Sequence, residues 1–179
     1  LELCSLVRYV GSSLLRRILQ ECVTEIDFKE SASQYFDELF EQLRRSTLLK
    51  SREDGSLLLD ANLRQIIRGY LIYQDKELYI KVNQTALSFY QESFQGDNGN
   101  RLLYFVEEIY HIALINQMQS VKIDIYSIAQ KRLNEFPDYV DIVGLFDLLR
   151  NKLEADSELV DILSAQNINV LDISDMINQ

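Results

Sequence analysis

Apolar residues recur along most of this chain at helical intervals, and one short stretch breaks that rhythm. Leu14, Leu15, Ile18, Leu19 and Cys22 predict a helix over 13–23, with Ser13 as its cap. A shorter helix is predicted over 3–10, separated from it at Gly11-Ser12-Ser13. Residues 24–31 are polar and read as a loop. From Ser33, Phe36, Leu39, Phe40 and Leu43 fall at i, i+3, i+4 and i+7, the single apolar stripe of an amphipathic helix. Arg44 and Arg45 end it, where positive charge suits the helix dipole. The period then changes. Thr47-Leu48-Leu49-Lys50 and Ser56-Leu57-Leu58-Leu59 flank Arg52-Glu53-Asp54-Gly55, and an Asp-Gly step between short apolar runs predicts a hairpin. Asp60 or Asn62 is expected to cap the next helix, with Leu63, Ile66, Ile67, Tyr70 and Leu71 on its buried face and Arg64 and Arg68 opposite. Three helices with a hairpin beside them have the layout of a winged helix.

Beyond Gln74 every signal is helical. A helix over 77–94 is expected to bury Leu78, Val82, Ala86, Phe89 and Tyr90. The run Gln95-Gly96-Asp97-Asn98-Gly99-Asn100 is the strongest break in the chain. Helices follow over 101–118 and near 123–134, the first burying Leu102, Phe105, Val106, Ile109, Ile112 and Ala113. Another, from Asp138, places Tyr139, Ile142, Val143, Phe146, Leu149 and Leu153 on one side. Asp156 is expected to cap a short helix through Leu163, with one or two further turns between Val170 and Ile177. Helices of this length with short links stack as antiparallel pairs, in a tetratricopeptide-like manner without a strict repeat.

Charge sharpens the division. Residues 1–74 carry 10 basic and 11 acidic side chains, a net of −1, whereas residues 75–179 carry 8 and 17, a net of −9. The expected organisation is therefore a mainly α chain, with a winged helix over 1–74 and an acidic helical array over 75–179. The acidic half would repel phosphate backbones and anionic lipid surfaces. Charge interrupts every apolar run, so no membrane span is expected. Two cysteines, Cys4 and Cys22, sit on apolar helical segments and read as small buried hydrophobes in a reducing, cytoplasmic setting. The chain opens on Leu1 and reads as part of a longer protein.

The run from Phe36-Asp37-Glu38-Leu39-Phe40 through Leu48-Leu49, Gly55-Ser56-Leu57-Leu58-Leu59 and Leu63-Arg64-Gln65-Ile66-Ile67 resembles a bacterial pattern. It is the winged helix that follows the ATPase core in signal-transduction ATPases with numerous domains, an apoptotic-ATPase-like group. Thr85-Ala86-Leu87-Ser88-Phe89-Tyr90 resembles that family's helix ending in paired aromatics, and Glu107-Glu108-Ile109-Tyr110-His111 its acidic-aromatic-histidine step. The resemblance covers roughly residues 5–115. It implies a phosphate-binding ATPase module upstream, because nothing in this chain has the required glycine-lysine-serine/threonine spacing. In eukaryotic relatives a histidine of the winged helix touches nucleotide. His111, the only histidine, lies outside the expected wing, so no nucleotide contact is carried over.

No nucleophile, base and pocket assemble from the sequence, and no catalytic, cofactor or metal residue is assigned. His111 reads as a structural histidine at the core edge, and Glu107 and Glu108 as a solvated acidic face. The helix from Ser33 offers Gln34, Asp37, Glu38, Glu41 and Gln42 outward, which suits a protein surface better than a DNA groove. Arg16, Arg17, Arg64 and Arg68, with Asp37, Glu38 and Glu41, are the candidate interaction residues. The cations are expected either to meet an acidic partner, a phosphate or the ATPase core, or to pair with neighbouring carboxylates on a solvated helix face. Tyr73, Tyr79, Tyr90 and Tyr110 read as core-rim residues. The expected role is a non-catalytic regulatory segment that relays nucleotide state from an upstream ATPase of the same chain to a partner protein. The alternatives are a nucleic-acid-binding winged helix and a free-standing adaptor.

Overall fold

The computed structural model describes residues 2–23, 32–96, 99–136 and 142–175, without the side chains of residues 32, 33, 142, 143, 145, 146, 174 and 175. The expectations for the 24–31 loop, for Tyr139 and for Ile177 lie outside the described residues, and those for Ile142, Val143 and Phe146 concern side chains outside the description. Among the described residues the fold is mainly helical, with one small antiparallel two-stranded sheet. It comprises two compact units that divide between Phe89 and Tyr90. The division falls inside α5 (Lys76–Gly96), and the step in charge lies at the start of that same helix.

The first unit holds α1 (Glu2–Ser5), α2 (Ser12–Cys22), α3 (Ala32–Arg44), β1 (Leu49–Ser51), β2 (Leu57–Leu59), α4 (Ala61–Gln74) and most of α5. The helix expected over 3–10 stops at Ser5. Val10 is instead extended, and its N–H donates to the Leu57 carbonyl at 2.9 Å while the Leu57 N–H donates to the Val10 carbonyl at 3.0 Å. A residue that spends its backbone groups on a distant strand cannot also close a helical turn. α2 begins at Ser12 with Gly11 as its N-cap and no side-chain capping bond, so Ser13 is not the cap.

The hairpin forms where the Asp-Gly step predicts it. Leu49 pairs with Leu59, Lys50 with Leu58 and Ser51 with Leu57. At the turn the Gly55 N–H donates to the Arg52 carbonyl at 3.1 Å, and the Arg52 N–H to the Ser56 carbonyl at 2.9 Å. Gly55 sits at φ +79°, the left-handed region that glycine enters without a Cβ penalty. Asp54 accepts the Ser56 N–H at 2.9 Å, closing the turn. Leu49, Leu57 and Leu59 are buried together with Leu6, Val7, Val10, Leu14 and Ile18. Apolar area of this kind is the main favourable term in folding.

Asp60 caps α4, accepting the N–H groups of Asn62 and Leu63 at 3.0 and 3.3 Å. The helix is turned from the expected orientation. Arg64 and Leu71 are buried, and Ile67 and Arg68 are half-buried between them. Ile66 and Tyr70, expected inside, are 70% and 57% exposed. Packing against α1 selects the 64-67-68-71 stripe, and the Arg64 guanidinium Nη1 donates to the Leu59 carbonyl at 3.2 Å. An arginine whose polar head finds a buried acceptor can lay its aliphatic stem in the interior.

The second unit is built on α6 (Arg101–Met118), whose bounds match the expected ones. α7 (Ile125–Asn134), α8 (Ile142–Ala155) and α9 (Ser157–Ser164) pack on it, and α10 (Val170–Asp175) packs on α8 and α9. Residues 105–116 of α6 are buried without interruption. Asp124 caps α7 and Asp156 caps α9, each accepting backbone N–H groups of the first turn. Past α9 the chain reverses at Asn167, which has φ 59°. The Ile168 N–H reaches back there to the Leu163 carbonyl at 3.0 Å, satisfying a terminal carbonyl.

Replacing Gly55 by alanine is expected to destabilise the chain by about 1 kcal/mol, from the left-handed strain it introduces. The measurement is the urea midpoint. Glu53→Ala, at the exposed tip of the same turn, should leave that midpoint where it was.

Candidate functional site

α3 presents Gln34, Asp37, Glu38, Glu41 and Gln42 to solvent, because Phe36 and Phe40 fix its opposite side in the core. Gln34 Nε2 donates to Glu38 Oε1 at 3.1 Å, and Arg44 lies 3.0 Å from Glu41. The surface so made is acidic and braced by its own neighbours. The three carboxylates chosen from the sequence share this face. Chemically it suits a basic or amide-rich protein surface and disfavours a phosphate backbone.

The candidate cations do not converge. Arg16 lies with its guanidinium 5.0 Å from the Phe36 ring centroid, bridging α2 to α3 by a cation–π contact. Arg17 is paired with Glu21 at 2.9 Å. Glu21 also accepts from Thr85 Oγ1 at 2.9 Å, and Thr85 lies 3.6 Å from the Cys22 sulfur, so α2 is tied to α5 by polar contacts. Arg64 is buried and Arg68 half-buried on the inward stripe of α4. At the hairpin tip Arg52 folds back over the Tyr9 ring at 4.3 Å and lies 3.4 Å from Asp54.

Beside this face α1, α2 and α3 enclose an apolar groove of about 440 Å³, lined by Glu2, Leu3, Cys4, Leu15, Leu19, Leu39 and Leu43. Leu39 and Leu43, expected in the core stripe of α3, are half-buried on its wall. Burial pushes the thiols of Cys4 and Cys22 above their ordinary pKa. Both are free thiols and behave as the small hydrophobes the sequence suggested.

The second unit overturns the reading of Glu107 and Glu108 as a solvated face, since both are fully buried. The reason lies on α7. Arg132 Nε donates to Glu108 Oε2 at 2.7 Å and its Nη2 to Glu108 Oε1 at 3.2 Å, a two-pronged pair. Gln91 Nε2 adds a bond to Glu108 at 2.9 Å, and Arg132 Nη1 reaches Glu135 at 2.6 Å. Arg132 also stands 4.9 Å from the Phe94 ring centroid. Burial opposes its charge, but the hydrogen bonds to Glu108 and Glu135 prevail and hold the guanidinium pKa above its ordinary value. No periodicity marks this pair. An arginine in the last turn of a helix reads as solvated, and only the fold brings it to Glu108.

His111 is fully buried, deeper than the core edge where it was expected. It stacks on Tyr90 with ring centroids 5.6 Å apart and meets Tyr110 edge-on at 5.3 Å. Tyr110 donates to Glu158 at 2.8 Å, linking α6 to α9. Tyr79, Tyr90 and Tyr110 are buried rather than at the rim, and Tyr73 is 86% exposed. Among the described residues no group of three or more histidine, cysteine, aspartate and glutamate side chains could hold a metal ion. No described helix is long and apolar enough to cross a membrane. No protein-family model matches the chain, and neither do any curated protein or solved structure.

Arg132→Ala is expected to cost about 3–5 kcal/mol, because Glu108 would remain buried without its counter-charge. The double replacement Arg132→Met with Glu108→Leu should recover most of that loss. Chemical unfolding of the two variants reads both quantities, and the thiols of Cys4 and Cys22 should react with Ellman's reagent only as the chain opens.

Proposed function

We propose that this chain is a non-catalytic regulatory and interaction segment. In this reading residues 1–74 form a winged helix and residues 75–179 a tetratricopeptide-like antiparallel array. The segment belongs to a larger signalling ATPase and passes its nucleotide state to a partner protein. The order helix, extended Val10, two helices, strand, turn and strand supports the winged-helix reading, with Val10 as a rudimentary first strand beside β2. The packing of α6 with α7, α8 and α9 supports stacked helical pairs. The resemblance of residues 36–67 to the family's winged helix supports the ATPase context.

The observation that carries a protein partner over a nucleic acid is the outward side of α3. In a winged helix this element would enter a DNA groove, yet Asp37, Glu38 and Glu41 stand on it exposed. A groove-reading helix presents donors such as arginine, lysine, asparagine and glutamine to base edges. A helical surface of carboxylates instead favours a positively charged protein face.

Two measurements test the reading. The chain should produce no mobility shift of duplex DNA even at about 50 mM salt, where phosphate contacts are strongest. A shift that weakens steeply with added salt would replace this proposal with the nucleic-acid reader. In the full-length gene product, amide exchange over residues 32–74 should differ between the ADP-bound and non-hydrolysable ATP-bound states. Identical exchange in the two states, or no nucleotide binding at all, would remove the relay and leave an adaptor.

A further inference from the structure

α7 docks on α6 with little apolar surface. Its buried positions are Ile125, Ala129 and Arg132, so one large apolar side chain and one guanidinium face inward. Tyr126, Ile128 and Leu133 are half-buried beside them. The shorter α9 buries Leu159, Ile162 and Leu163. Alanine adds little area to the hydrophobic term, so Arg132 anchors the C-terminal end of α7.

The socket that receives Arg132 has the makings of a recognition site. Glu108 takes the guanidinium through two nitrogens at 2.7 and 3.2 Å, and Gln91 donates to the same carboxylate at 2.9 Å. The Phe94 ring centroid lies 4.9 Å from the guanidinium carbon. A two-pronged carboxylate and an aromatic plane are what separate arginine from lysine. Gln91, Phe94 and Glu108 stand on α5 and α6, so the socket would stay whole with α7 lifted away. The side chains of Glu108 and Arg132 are 0% and 8% exposed, and that of Glu135 is 29% exposed, so the socket borders solvent beside Glu135. Stability alone does not call for the pair, because apolar side chains at both positions would join two helices about as well.

We propose that Gln91, Phe94 and Glu108 form a binding site for an arginine of a basic partner segment, and that Arg132 keeps it closed as an internal mimic. A partner arginine displaces Arg132, α7 lifts, and the fork re-forms between the two proteins. Charge favours such an occupant. Residues 90–179 carry 6 basic and 15 acidic side chains, a net of −9, which gathers cationic segments near the site. Arg132 has the advantage of being tethered, so exchange needs a partner already concentrated by that field. The site lies within the second unit, and the inference goes beyond the relay proposed above without depending on it.

Native-state amide exchange of the 179-residue chain, with hexa-arginine and hexa-lysine as probes, tests this. The amides of α7 should exchange through an opening that leaves residues 105–116 of α6 protected. Hexa-arginine should speed α7 exchange several-fold, whereas hexa-lysine, equal in charge but without the fork, should leave it unchanged. Arg132→Lys keeps the charge and loses the fork, so its α7 should open more readily and respond to less hexa-arginine. Arg132→Ala vacates the socket, and methylguanidinium should raise its melting temperature while methylammonium does not. Arg132→Met with Glu108→Leu should respond to neither. Arg132→Lys decides the matter if the alanine variant does not fold. α7 amides that open only together with α6 overturn the proposal. So do two peptides that act alike, an Arg132→Lys chain indifferent to hexa-arginine, and a folded Arg132→Ala chain indifferent to methylguanidinium.

Discussion

Two backbone hydrogen bonds between Val10 and Leu57 organise the first unit. They join segments far apart in sequence, and closing so long a loop costs entropy that the surrounding core must offset. In return they impose two directions. The chain before α2 has to run straight instead of coiling, and β2 gains a neighbour on each side, Ser51 on one and Val10 on the other. Leu57 is thereby fully buried at the middle of the ribbon, with α2 and α3 arising from the segment between. The turn at Gly55 serves this arrangement, because strands of three residues depend on the correct register for every inward leucine.

The second unit solves a different problem. α6 is apolar on nearly every side but carries Glu107, Glu108 and His111 in its buried stretch. Polar groups in that setting persist only with partners. Arg132 supplies a matched fork for Glu108, and aromatic rings enclose His111 on two sides. The polar residues that look most chemical in the sequence are thus placed to join helices, α6 to α7 through the ion pair and α6 to α9 through Tyr110.

Much of this was legible in the residues. Capping by Asp60 and Asp156, the bounds of α6 and the hairpin at Asp54-Gly55 follow from local chemistry, which the structure leaves undisturbed. What periodicity could not show was how a helix with two competing faces turns. In α4 the arginine stripe 64-67-68-71 and the stripe containing Ile66, Tyr70 and Tyr73 both have helical spacing. The acceptor that selects the first, the Leu59 carbonyl, becomes visible only in three dimensions. Of the candidate surface, the carboxylates of α3 were recoverable because a strong apolar stripe fixes their direction. Arg64 was not, and neither was the Glu108–Arg132 pair, whose members lie on separate helices.

The unbroken burial of residues 105–116 has a kinetic meaning. An amphipathic helix can fray or lift from one side while its unit stays intact, but a segment enclosed all round has no partial exit. Its amide protons can meet solvent only when the body around it comes apart. The slowest-exchanging amides of α6 therefore act as a gauge of the global opening free energy of that unit, and the peripheral α10 should report only its own local fluctuations.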